Sequence, residues 1–471
     1  MKTATADVDL PMAPPDSRVK KAPSASFTSN LVAVLGGQVS CSAVALILQA
    51  CYARFLGPAG RGQISLCLMA AWLGVLLGGL GIEYPLALWT ADSKEKSSQW
   101  LPAVFLGGIL GSTVACCLWT AVYWKWHPAF LKGMTPGMAL IVLPSIPLCI
   151  SVTYLMSILA GLERFRLRSG LALSNQAMGL LGMVLLVLLF GRKPEVALLG
   201  NQLGLLIGFL VTAFILRDFL GGAWNLRAAG HRFYPAVRLA TRGQLGNLAT
   251  FFNYRLDVFI VNYYLDPAQV GLYAVGVLVA EALWHIPNAV AVTLFPRTVR
   301  TLDAGAAEFT CFVLRQVLLI ACICGVALAL LSPVLVPLVF GARFTPSVPV
   351  IWLILPGVIA LSLAKVICAD LAARGKPEFS SIFAVVALVV TVVLDLLLIP
   401  RMGIKGAAIA SSATYIVQTT LLAIALKHQL KVPWKSFFIP TSSERVAYQL
   451  AWFRLKSRFW PAPAPGLGRV D

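Results

Sequence analysis

Charge is scarce in this chain. Only 12% of its 471 residues are charged, 59% are hydrophobic and the mean hydropathy is +0.82, against roughly 25% charged residues in a soluble domain. No polar run is long enough for a soluble catalytic domain. Histidine is scarcer still: His127, His231, His285 and His428 are scattered, with no acid pair or His/Ser constellation beside an aqueous loop, which argues against an enzyme. The ten cysteines, Cys41, Cys51, Cys67, Cys116, Cys117, Cys149, Cys311, Cys322, Cys324 and Cys368, all fall in apolar stretches. They read as small packing residues, not as a disulfide framework or a metal site. No apolar core follows Met1 and Lys2, so the N-terminus is not expected to be a cleaved signal peptide. No cofactor is implied.

What the chain has is a succession of apolar runs near or above the roughly 20 residues that cross a bilayer. They predict an all-α polytopic membrane protein of about twelve transmembrane helices. The formal charge of +19 would raise the question of nucleic acid in a soluble protein. Here its placement answers otherwise, because Lys and Arg outnumber those of alternate connections by about three to one on the side of the N-terminus. That bias puts both termini in the cytoplasm and leaves no nucleic-acid partner. The expected organisation is a disordered arm over 1–28, a six-helix bundle over 29–216, an Arg-rich cytoplasmic linker over 217–238, a second bundle over 239–426 and a basic tail over 427–471. Within the tail, Glu444 to Trp460 fits either an interfacial helix or a mobile segment.

The two bundles read as copies. Phe55 to Gly62 is FLGPAGRG and Tyr264 to Gly271 is YLDPAQVG, with Leu56/Leu265, Pro58/Pro267, Ala59/Ala268 and Gly62/Gly271 in register. Thr135-Pro136 with Leu143-Pro144, and Thr345-Pro346 with Leu355-Pro356, form a second matched pair. Each copy would begin on the same side, so the repeats are parallel, an architecture of carriers that rock two bundles around a midplane site. Pro144 and Pro147 should bend or interrupt the fourth span.

The polar residues gather in the second copy. On the seventh helix Gln244, Asn247, Arg255 and Asn262 share an arc of about 80°, with Asp257 well away from it. Glu281, His285 and Asn288 share a face of the eighth at helical spacing, and Lys365 lies in the tenth. A charge at the centre of a membrane helix costs about 2.5 to 3.5 kcal/mol, so these residues either serve a function or pair across helices. The functional reading is a cavity lined by Arg255, Lys365, Asn247, Asn262 and Gln244 that takes an anionic substrate, with Glu281, Asp257 and His285 as candidates for exchanging a coupling ion. For Glu83, His285 and Asp395 a structural role leads.

Several motifs resemble those of polysaccharide-biosynthesis flippases of the multidrug/oligosaccharidyl-lipid/polysaccharide exporter superfamily. They are GPAGRG after the first span, LAGLERFR after the fourth, RLDVFIVNYYLDPAQVGLYAVG across the seventh and eighth, LFPR at Leu294 to Arg297, and FGARFTPSVPVIWLILPG at Phe340 to Gly357. The resemblance covers about 29–426. It implies two six-helix bundles that move a polyprenyl-pyrophosphate-linked oligosaccharide from the inner to the outer leaflet, with glycan polymerases as possible partners. The first helix lacks the acid that drug exporters of this superfamily commonly use, and the first half lacks the central cations of the fourteen-helix peptidoglycan-precursor flippases. A cation-coupled multidrug antiporter of the same superfamily is the alternative.

Overall fold

The computed structural model describes residues 27–92, 97–217, 226–291, 305–439 and Glu444. The N-terminal arm over 1–26, the motif at Leu294 to Arg297 and the tail beyond Glu444 lie outside the described residues.

Among the described residues the chain is helical and contains no strand. In order, the helices are α1 (Phe27–Gly78), α2 (Glu83–Asp92), α3 (Ser97–Phe130), α4 (Pro136–Val142), α5 (Ser145–Gly161), α6 (Phe165–Phe190) and α7 (Pro194–Ile215). There follow α8 (Leu226–Tyr264), α9 (Pro267–Glu281), α10 (Gly305–Phe340), α11 (Val348–Ala373), α12 (Glu378–Met402), α13 (Ile404–Leu430) and the short α14 (Lys435–Phe438). Among the described residues, ten stretches are long and apolar enough to cross a membrane. One of them, Gly36–Gly78, holds two spans, because α1 bends at Gly57 and Pro58. With its two limbs counted apart and the polar α8 added, the ten become the twelve spans expected. The protein is a multi-pass membrane protein.

The two repeated turns break the helix by different chemistry. Gly57 takes φ 69° and ψ −175°, a region open to glycine because it has no Cβ. Asp266, at the equivalent position, stays extended and caps α9, accepting from Ala268 N at 2.7 Å and Gln269 N at 3.0 Å, with Pro267 in the first turn. The equivalent glycines then bring the copies together. A Cβ on Gly62 would collide with the Pro267 carbonyl and one on Gly271 with the Pro58 carbonyl, so the second limb of α1 and α9 cross backbone to backbone. Arg54, just before the bend, donates to the last carbonyls of α10, Leu338 and Val339.

The fourth span is interrupted as its prolines predict: α4 stops at Val142 and α5 starts at Ser145, after Pro144. Its counterpart Pro356 is carried inside an unbroken α11. The connection between bundles also departs from a plain linker, since helix α8 runs back to Leu226, well inside 217–238. At the other end of the chain, Arg315 on α10 donates to Glu444 at 2.9 and 2.5 Å and to the Ser436 carbonyl, with Arg315 and Glu444 both buried. The segment after α13 is thus docked onto the second bundle.

Candidate functional site

Helix α8 touches both bundles and carries the site. Its Asn247, Thr250, Tyr254 and Arg255 face Met69, Trp72 and Leu76 of α1 across a cavity of about 470 Å³. Asn247 and Trp72 are exposed there. Arg255 is not a lone charge: its guanidinium meets the Glu281 carboxylate in a two-pronged pair, both N···O distances being 2.7 Å. This planar fork suits a carboxylate and would equally suit phosphate oxygens. The pair remains accessible, with side-chain exposures of 28% for Arg255 and 13% for Glu281.

Behind it, Lys365 of α11 lies over the indole of Trp284, with Nζ 4.6 Å from the ring centroid. It is attracted by Glu281 but forms no hydrogen bond with it. Tyr254, Trp284 and Tyr415 pack as an aromatic triad with centroids 5.3 to 6.0 Å apart. Two cations therefore share one carboxylate on an aromatic base, leaving one formal positive charge over.

The other polar residues of α8 do different work. Gln244 donates from its amide to the Leu76 carbonyl. Asn262, at the opposite end of the helix, donates to Phe130 O at 2.9 Å and Lys132 O at 3.3 Å, and Lys132 returns a bond to Tyr263 O at 2.6 Å. Neither residue lines the cavity. They tie α8 to α1 at one end and to the end of α3 at the other, so the cavity is bracketed above and below. His285 also stands apart. A 3₁₀ turn over Ala282–Trp284 separates it from Glu281 and rotates it off that face, and its side chain is exposed.

Asp257 points the other way, into the second bundle. It is buried and accepts from Val258 N at 2.7 Å, from the Tyr273 hydroxyl and from Ser411 Oγ at 3.1 Å. One turn away, Asn253 accepts from Thr391 at 2.6 Å and donates to Gln418 at 3.0 Å. Thr391 and Asp395 are one turn apart on α12, as Asn253 and Asp257 are on α8, so the two acids face each other through this hydrogen-bonded layer. Asp395 is fully buried and neither of its carboxyl oxygens has a hydrogen-bond partner; the Thr414 hydroxyl on α13 is likewise buried and unpartnered. A buried polar group without a partner costs about 1 to 3 kcal/mol, and more when charged. An isolated acid on an apolar helix gave no sign of this in the sequence. Only the α8–α12 contact reveals it.

The comparisons with known proteins agree with this architecture. The profile of the family described as Lipid II flippase MurJ matches residues 99–451. The chain belongs to that family. It is the branch against which the missing N-terminal cations weighed, so absent central Lys or Arg in the first half does not separate this chain from it. A curated relative, the probable low-salt glycan biosynthesis flippase Agl15 of Haloferax volcanii, is 25% identical over 185 residues. That match spans 38% of this chain and 39% of the relative's length. Among solved structures, a lipid II flippase MurJ in an inward closed conformation superposes with a TM-score of 0.71 at 15% identity, over 92% of this chain and 93% of that one. An inward-facing multidrug resistance MATE family transporter of the MOP superfamily gives 0.64 at 12% identity, over 85% and 98%. At these identities the structures speak for the fold alone.

Proposed function

We propose that this protein moves a polyprenyl-pyrophosphate-linked oligosaccharide from the cytoplasmic to the outer leaflet of a bacterial inner membrane, for surface polysaccharide biosynthesis. The two bundles alternate access to the α1–α8 cavity, with both termini in the cytoplasm. The observation that carries this reading is the excess of cation at that cavity: Arg255 on its wall and Lys365 behind it share the single carboxylate of Glu281. A pyrophosphate brings the missing negative charge and can exchange with Glu281 on the guanidinium fork. The glycan and pyrophosphate are too polar for the hydrocarbon core, and the cavity spares them that transfer. Exposed Asn247 is placed to hydrogen-bond sugar hydroxyls. Gln244 and Asn262 act as end clamps whose alternate release opens one side at a time.

Asp257 and Asp395 form the coupling site in this scheme. Two acids facing one another in a dry core cannot both ionise without a cation or a proton. The hydroxyls of Tyr273 and Ser411, both on Asp257, add to an oxygen set suited to a hard monovalent cation. The same pair would equally serve a cation-coupled multidrug antiporter, which makes the cationic cavity the deciding feature. The test is to delete the gene and complement it with the wild type or with Arg255→Gln, measuring lipid-linked glycans by mass spectrometry and surface polymer in parallel. The flippase reading requires one lipid-linked oligosaccharide to accumulate in both the deletion and the variant. Full complementation by Arg255→Gln, with drug sensitivity as the only deletion phenotype, would overturn it.

A further inference from the structure

The helices that enclose the charged cavity enclose a second one on their other side. Ala70, Leu73, Gly74 and Leu77 of α1 face Phe252, Leu256 and Phe259 of α8, and Ala115, Leu118, Trp119, Val122 and Phe130 of α3, with Leu131 just beyond it, close the third wall, around about 340 Å³. At 100° per residue, the two lining faces of α8 lie about 140° apart, and so do those of α1. The α1–α8 seam is therefore a partition with a cationic chamber on one side and a wholly hydrocarbon groove on the other. None of the residues lining the groove is charged, and Leu118 and Phe130, 46% and 39% exposed, open it at the protein surface.

Resting on the flippase reading above, we infer that this α1–α3–α8 groove holds the polyisoprenoid chain of the lipid-linked substrate while its pyrophosphate lies on Arg255 across the seam. Two observations single out that occupant. Phe252, in the groove, and Arg255, in the chamber, are three residues apart on one helix, about 5 Å along the axis. A molecule that joins an anion covalently to an apolar chain matches the step from one compartment to the other. The wall from Ala115 to Phe130 rises about 22 Å along α3, most of the roughly 30 Å hydrocarbon thickness, which suits a long chain lying along the membrane normal. A hydrocarbon chain gains little merely by leaving lipid, so the groove acts through shape: packing against Gly74, Leu118, Phe130, Leu256 and Phe259 fixes the chain's register relative to the fork.

The test uses the full chain in phosphatidylethanolamine/phosphatidylglycerol nanodiscs and a prenyl-pyrophosphate disaccharide carrying a diazirine on a distal isoprene. Photolabel should map to residues 115–131 and 252–259, and should be displaced by the unlabelled compound but not by excess phospholipid. Leu118→Trp, at an exposed wall position that tolerates a larger side chain, should cut both labelling and affinity for the prenylated compound about 10-fold. It should leave affinity for the same pyrophosphate-disaccharide without its prenyl chain unchanged. Leu185→Trp, on α6 and 57% exposed, should alter neither. Label elsewhere, equal displacement by phospholipid, or no effect of Leu118→Trp overturns the assignment. Failure of the pyrophosphate-disaccharide to bind the wild type, with groove labelling by a free polyprenol intact, instead overturns the head-group reading and leaves the groove standing.

Discussion

In the proposed scheme Glu281 occupies the ground the substrate anion needs, so removing its charge should tighten binding of the head group. At an effective dielectric of about 20, charges about 4 Å apart attract by about 4 kcal/mol. The Arg255–Glu281 pair is partly exposed, at 28% and 13%, so screening reduces the net coupling to about 1 to 2 kcal/mol. Glu281→Gln keeps the shape and one acceptor oxygen, frees the guanidinium fork and raises the formal charge of the chamber by one. The expected gain in affinity for a soluble pyrophosphate-linked sugar is about 5- to 30-fold at low salt, shrinking as ionic strength rises. Isothermal titration in detergent at two salt concentrations measures it directly. Unchanged or weaker binding by Glu281→Gln would refute the view of Glu281 as an internal competitor, and would place the anion away from Arg255.

Three further outcomes follow from particular contacts. Thermal unfolding of the wild type should shift upward with sodium, by about 2.7 kcal/mol at 100 times its dissociation constant; Asp395→Asn should abolish the response, and a full response in that variant would exclude the α8–α12 acid pair as the cation site. Arg315→Ala strands the buried Glu444 and should cost about 3 to 5 kcal/mol in a denaturation assay, whereas the double replacement Arg315→Met with Glu444→Leu should recover most of it; equal losses in both would mean the tail is not held by that pair. Gly271→Leu drives a side chain into the Pro58 carbonyl and should destabilise by at least about 1 to 3 kcal/mol, while Gly36→Ala, with nothing within 4 Å, should be silent; a tolerated Gly271→Leu would refute the backbone crossing of the two repeats.

The sequence carried the faces of the helices but not their depths or partners. Periodicity put Gln244, Asn247, Arg255 and Asn262 on one side of α8, and they are there. Gln244 and Asn262, however, are separated by about 27 Å along the axis, so a single chamber could not contain both, and each bonds instead to the helix ends it reaches. Arg255 was legible as a costly charge, and its partner Glu281 was legible as another. Their pairing depends on how α8 meets α9, which no local pattern records. His285 was placed beside Glu281 by counting at 3.6 residues per turn, and the 3₁₀ turn at Ala282–Trp284 breaks that count. Asp395 looked like an isolated structural acid because Asp257, Thr391 and Ser411 come together only in the fold. The repeat was the strongest signal of all, since Pro58/Gly62 and Pro267/Gly271 are the residues by which α1 and α9 touch.

The asymmetry between the copies has a mechanical meaning that centres on α8. Arg255 and Asp257 are two residues apart, about 3 Å along the axis and roughly 160° apart around it. One side of a stiff helix therefore bears the anion fork, and the other bears the acid that faces Asp395. The first bundle contributes walls, through Trp72 and Leu76, and tie points, through the Leu76 and Phe130 carbonyls. Any displacement of α8 that changes the Asp257–Asp395 approach must also move Arg255 against Glu281, because no hinge lies between them. In the proposed scheme the two sites are thermodynamically linked through one rigid element. The factor by which cation changes head-group affinity must then equal the factor by which head group changes cation affinity. A carrier built this way needs its anion and coupling chemistry in only one of its repeats, and Arg255, Asp257, Glu281, Lys365 and Asp395 all belong to the second.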